Sequence, residues 1–95
     1  MKPGAELDAL LLSVARLPLM AYLKKNPLSE FIQIRDELNM QPGNLSLQIK
    51  KLKEAGYIDI QKSFKGNYPL TMIKLTEKGV QAMTEFHKKI NDLLG

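Results

Sequence analysis

Gly56 marks a change of period that constrains this chain more than any other feature. Upstream of it, from Pro42 onward, Leu45, Ile49 and Leu52 recur at helical spacing. Immediately downstream, Tyr57-Ile58-Asp59-Ile60-Gln61 alternates apolar and polar residues, as a half-buried strand does. Such a handover needs a sharp reversal, and glycine just past a helix end supplies it. Pro42 suits the other end, because the first helical position needs no N–H. The stretch therefore reads as a helix opened by Pro42 and closed at Gly56. Leu45, Ile49 and Leu52 face inward; Asn44, Ser46, Leu47, Gln48, Lys50 and Lys51 face outward.

The flanking segments follow the same logic. Residues 6–25 place Leu7, Leu10, Leu11, Val14, Leu17 and Tyr22 near a 3.6 period and read as a first helix. Pro18 predicts a kink or break near Leu17, and Asn26-Pro27 stops the segment. Within it, residues 9–15 have the composition of a signal-peptide core. Glu6 and Asp8 precede them and no clean cleavage site follows, so they read as a buried helix face. Residues 29–39 form a second helix, with Ser29 as its cap candidate and Ile32, Ile34 and Leu38 apolar. Alternatively, Ser29-Glu30-Phe31 pairs as a short extended piece and the helix starts after it. Asn39-Met40-Gln41 is a tight turn. Residues 63–69 hold Gly66-Asn67 and a proline, the chemistry of a hairpin loop, and Leu70–Leu75 is the return strand. Thr76 caps a last helix, Glu77–Leu94, with Val80, Met83, Phe86, Ile90, Leu93 and Leu94 apolar. The fold class is mainly α with a small β-hairpin (α+β), in one domain over residues 1–95.

Charge placement bears on partners. The net charge is +4. Between residues 42 and 76 six lysines (50, 51, 53, 62, 65 and 74) face two acids, Glu54 and Asp59, while the rest of the chain balances eight basic against eight acidic residues. The whole excess lies on one contiguous third, the footprint expected for a polyanion partner. The absence of cysteine excludes disulfides and thiolate metal sites and fits a reducing cytoplasm. No run of about 18 apolar residues occurs, so no membrane span is expected.

Catalytic constellations are wanting. His87 is the one histidine, and Glu85 and Asp92 fall on other helical faces, so it has no metal-ligand partner. Asp36 and Glu37 are adjacent and point to different sides. The glycines are too scattered to form a phosphate loop. Neither an enzyme site, a metal nor a cofactor is expected.

Three segments carry a family resemblance. Phe31–Leu38 matches a helix before a turn. Gly43-Asn44-Leu45-Ser46-Leu47-Gln48-Ile49-Lys50-Lys51-Leu52-Lys53-Glu54-Ala55-Gly56-Tyr57-Ile58 matches a recognition helix and first wing strand. Pro69-Leu70-Thr71 and Leu75-Thr76-Glu77-Lys78-Gly79 match the return strand and the start of the last helix. Over about Leu7 to Met83 the chain resembles the compact winged helix-turn-helix regulators of the MarR and ArsR groups. It departs from them at Gln48, where histidine is frequent, and at Leu70, where arginine is usual.

The resemblance implies a transcriptional regulator that binds duplex DNA. Asn44, Ser46 and Gln48 would reach base edges. Lys50, Lys51, Lys62, Lys65, Asn67 and Tyr68 would meet the backbone. Leu11, Leu12, Phe86, Ile90, Leu93 and Leu94 would form a homodimer seam. A small-molecule effector would have to bind at that seam, and no residue names one. The alternative keeps the fold as a protein-interaction module, toward which Leu47 and Leu70 on polar faces point.

Overall fold

A computed structural model describes residues 7–95. The first helix, α1, spans Arg16–Lys25 and not residues 6–25. Local side chains hold the upstream segment out of the helix. Asp8 Oδ1 accepts from the Leu10 N–H at 2.9 Å, and the Asp8 carbonyl accepts from Leu11 and Leu12 at 3.1 and 3.0 Å. Ser13 Oγ then accepts from the Arg16 N–H at 3.1 Å, satisfying a donor that the helix start leaves orphaned. Pro18 thus sits in the first turn, where its missing N–H costs nothing. This restart resets the helical phase. Leu19, Met20 and Leu23 are the fully buried residues of α1, and Val14 is 97% exposed. Residues 9–15 are therefore not a buried helix face; within them only Leu11 is buried.

The short extended alternative describes the next segment. β1 is Leu28–Glu30 and α2 is Phe31–Leu38. Ser29 is not a cap: it is buried in the strand, its hydroxyl donating to the Asn26 carbonyl at 2.9 Å. Asn39 closes α2 in the left-handed conformation (φ 51°). α3 is Pro42–Glu54, with Pro42 at its start. Its end is a Schellman motif. Tyr57 N–H donates to the Leu52 carbonyl at 3.0 Å and Gly56 N–H to the Lys53 carbonyl at 2.9 Å, with Gly56 at φ +81°.

The hairpin is longer than the residue pattern shows. β2 is Ile58–Lys65 and β3 is Tyr68–Leu75, so the expected loop over 63–69 shrinks to Gly66-Asn67. Gly66 alone takes the positive φ (61°), the pattern of a type II′ turn. Lys65 and Tyr68 close that turn as the hydrogen-bonding pair. Phe64 and Pro69 are next in register and form a non-hydrogen-bonding pair, which is why proline fits inside a strand here. β1 pairs antiparallel with the base of β3, giving a three-stranded sheet in the order β1-β3-β2.

α4, Glu77–Leu94, starts at the base of this sheet and packs against α1. Thr76 Oγ1 accepts from the Gly79 N–H at 3.0 Å and donates to the Gly56 carbonyl at 2.6 Å. Gly79 packs so closely that a Cβ there would lie 2.2 Å from the Tyr57 carbonyl oxygen and 2.8 Å from Leu75 Cδ1. The core gathers Leu11, Leu19, Met20, Leu23, Ile34, Leu45, Ile49, Leu52, Ile58, Ile73, Leu75, Met83 and Phe86. Two residues expected at the dimer seam, Leu11 and Phe86, thus belong to the chain's own core. Val80, expected on the apolar face of the last helix, is exposed.

Tyr57 ties the N-terminal segment to the wing base. Its hydroxyl donates to Asp8 Oδ2, and Lys78 Nζ stands 5.8 Å from its ring centroid. Burial first, then the hydrogen bond to Asp8 and its charge, push the phenol up from 10.0 to about 12.

Two outcomes follow from these contacts. Gly79→Ala is expected to lower stability by about 3 kcal/mol, the upper end for overpacking, because a backbone carbonyl cannot yield as a side chain can. Gly43→Ala, with nothing within 4 Å of the new Cβ, should be close to neutral in the same thermal melts. The folded state holds the Tyr57 proton more tightly than the unfolded chain. Its contribution is therefore complete below pH 10 and lost as pH rises from 10.0 through about 12. Ultraviolet titration should show a late tyrosine ionisation, and Tyr57→Phe should remove that transition.

Candidate nucleic-acid interface

The α2–turn–α3 unit presents one side of α3 to solvent. Asn44, Ser46, Leu47, Lys50, Lys51 and Lys53 are exposed, while Leu45, Ile49 and Leu52 seat the helix on the core. No other part of the described chain covers this face.

Gln48 departs from its expected place. It is 7% exposed, not outward-facing. Its Oε1 accepts from Arg16 Nη1 at 2.7 Å, and its Nε2 donates to Asn44 Oδ1 at 2.8 Å. Arg16 is held in turn by its Nε, which donates to the Leu10 carbonyl at 2.7 Å. Gln48 lies within one helical turn of Leu45 and Leu52, so it falls at the margin of the buried stripe, and Arg16 draws it in. The helical pattern contains the first half of that explanation. The second needs Arg16, 32 positions upstream.

Strand register sorts the wing residues into two faces. Ile58, Ile60, Lys62 and Phe64 share the face that turns toward α3, with Pro69, Thr71, Ile73 and Leu75 opposite them. Lys65, Tyr68 and Leu70 lie on the other face with Lys74, and Asn67 sits at the tip. Between α3 and the inner face runs a groove of about 430 Å³ lined by Phe31, Ser46, Ile49, Lys50, Lys53, Ile60, Lys62, Thr71 and Ile73. Lys62 Nζ donates to Thr71 Oγ1 at 2.9 Å across the strands, which holds the ammonium over this groove. Two residues join the face that the sequence does not single out. Lys53 lines the groove, and Phe64, 71% exposed, extends the Lys62 row outward. Strict alternation from buried Ile58 identifies Phe64. Lys53 needs the side of α3 that meets the wing. Lys74 lies away from α3, beside Asp59 in register, so part of the localised charge excess points elsewhere.

A second groove, about 450 Å³, runs between α1 and α4 and is lined by Leu17, Ala21, Lys24, Lys25, Met83, Phe86, His87 and Ile90. Of the expected seam residues, Leu12, Leu93 and Leu94 are exposed and Ile90 is half-buried. His87 is exposed, 3.5 Å from Asn91 Nδ2. Among the described residues no helix is long and apolar enough to cross a membrane.

A helix-turn-helix unit, a β-hairpin beside it and a lysine-lined groove between them define a winged helix-turn-helix protein. The chain belongs to the winged helix DNA-binding domain family, which it matches over residues 15–94; this is not a family of enzymes. A transcriptional regulator homologue from Pyrococcus horikoshii OT3 has a similar structure, with a TM-score of 0.92 at 25% identity, covering 99% of this chain and 95% of that one. An uncharacterized protein of Methanocaldococcus jannaschii is 35% identical over 81 residues, 85% of this chain and 88% of the relative. A cysteine-to-serine mutant of Escherichia coli MarR, in a complex with operator DNA, shares the fold with a TM-score of 0.74 at 14% identity, over 82% of this chain and 55% of MarR.

Proposed function

We propose that this protein is a cytoplasmic transcriptional regulator that binds specific duplex DNA as a homodimer, with α3 in the major groove and the wing along the backbone. One observation carries the reading: the polar side of α3 and the lysine-lined groove beside it form a single uncovered basic face. A helix about 10–12 Å across fits the major groove of B-form DNA. Asn44 and Ser46 stand at the N-terminal end of α3, where side chains meet base edges. Exposed Leu47 suits contact with a thymine methyl. Gln48, buried and bonded at both ends of its amide, acts behind this row rather than in it. Lys50 and Lys51 approach phosphates from the helix, with Lys53 and Lys62 lining the groove where a strand would pass. Lys65, Asn67 and Tyr68 reach the neighbouring backbone from the wing tip.

The dimer rests on α4. Residues 91–95 are all exposed, so its last turn extends past the core. Leu93 and Leu94 sit there, and Leu94 is 80% exposed. They continue, at i+3 and i+4 from Ile90, the apolar stripe that floors the α1–α4 groove. Exposed Leu12 adds apolar surface for a partner. A second copy packed on this stripe would bury it and set two recognition helices for two half-sites.

Binding to random duplex DNA should weaken with salt along a log–log slope near −0.9 per phosphate contacted, with about four to eight contacts for a dimer. Lys51→Ala should weaken binding to all sequences alike and make the slope shallower; a salt-independent affinity would exclude the DNA reading. In light scattering the protein should run at about twice 10.7 kDa, and Leu93→Asp with Leu94→Asp should return it to the protomer mass.

A further inference from the structure

We infer that Arg16 and Gln48 are positioning residues that fix which edge of the Asn44 amide faces DNA, so that Asn44 presents an N–H donor. The inference rests on the DNA-binding reading above and adds what that reading leaves open, the recognition rule at one position. A guanidinium has donors and no acceptor. Arg16 Nη1 lies 2.7 Å from the Gln48 side chain, so the atom facing it must be the amide oxygen. The planar amide then turns its nitrogen the other way, toward Asn44 at 2.8 Å. A donor at that distance requires Asn44 to meet it with Oδ1, which leaves Nδ2 for whatever approaches the exposed first turn of α3. Both amide orientations thus follow from the charge type of one arginine. The Leu10 carbonyl anchors the Arg16 end of the chain. Gln48 is too buried to exchange its partners with water freely.

An asparagine with a free amide grips adenine by accepting from N6 and donating to N7. Here Oδ1 is turned toward Gln48 Nε2, so the group left facing outward is the Nδ2 donor. Acceptor edges answer it: guanine O6 and N7, adenine N7 and thymine O4. Cytosine shows the amino group N4 and is refused. Asn44 would therefore select against cytosine at the base it meets.

Selection of bound sequences from a random duplex pool tests this, with Gln48→Glu and Asn44→Ala beside the wild type. In Gln48→Glu the carboxylate still accepts from Arg16 but cannot donate, so Asn44 must turn over, donate Nδ2 to it and show Oδ1 outward. The wild type should exclude cytosine at one position of each half-site by roughly tenfold. Gln48→Glu should reverse the preference there toward cytosine or adenine, with overall affinity reduced by the added negative charge. Asn44→Ala, at an exposed position, removes the base-facing amide and should lose the preference at that position alone. Unchanged preference at every position in Gln48→Glu would overturn the inference. Should Gln48→Glu fail to fold in a thermal melt, Asn44→Ala decides by itself, since an unaltered profile in that variant is equally fatal. A wild type that retains no duplex in the salt titration refutes the DNA reading itself. Retained duplex with an unaltered profile refutes only the role of the relay.

Discussion

The hydroxyl of Thr76 holds this molecule together at its busiest point. It donates to the carbonyl of Gly56, where α3 ends, and accepts from the amide of Gly79, where α4 begins. Tyr57 stands between them, its carbonyl against Gly79 and its phenol on Asp8. Two side chains, Thr76 and Tyr57, and two glycines thereby fix α3, the wing base, the last helix and the N-terminal segment relative to each other. The motif Leu75-Thr76-Glu77-Lys78-Gly79 is therefore a joint. Its threonine is the side chain that bonds both elements, and its glycine is required by a backbone oxygen that leaves no room for a Cβ.

Much of the fold can be read from period alone. The change at Gly56, Pro42 at a helix start and Thr76 at another all act within a few residues of themselves. Their effects are local, and local effects survive in a linear sequence. The first helix shows the opposite case. Leu7 to Leu17 keep a plausible 3.6 spacing, yet Asp8 and Ser13 bind backbone amides and restart the helix at Arg16. Periodicity cannot report that competition, because it weighs apolar residues and ignores polar ones that bond the main chain. The hairpin outruns its residue pattern for a related reason: Pro69 suggests a loop until its place in a non-hydrogen-bonding pair is known, and pairing is a property of two strands.

The candidate site is legible to a similar degree. The outward placement of Asn44, Ser46, Lys50 and Lys51 follows from the inward placement of Leu45, Ile49 and Leu52. Gln48 escapes such reading because its burial is decided by an arginine on another helix. Leu11 and Phe86 read as interface residues yet belong to the core, since an apolar residue does not state whether its own chain or a second copy covers it. The lysine-rich window takes in more than the α3–wing groove: Lys74 shares the window but lies away from α3.

The wing has a mechanical consequence. Its two strands of eight residues close over a two-residue turn, so nothing slack separates its base from its tip. At roughly 3.3 Å per residue it is a lever about 26 Å long. A tilt of about 6° at the Gly56–Tyr57 fulcrum would carry Asn67 through roughly 3 Å, a hydrogen bond's length. Whatever loosens that fulcrum is magnified at the far end, so reach and precision of the tip are set by residues that never approach it.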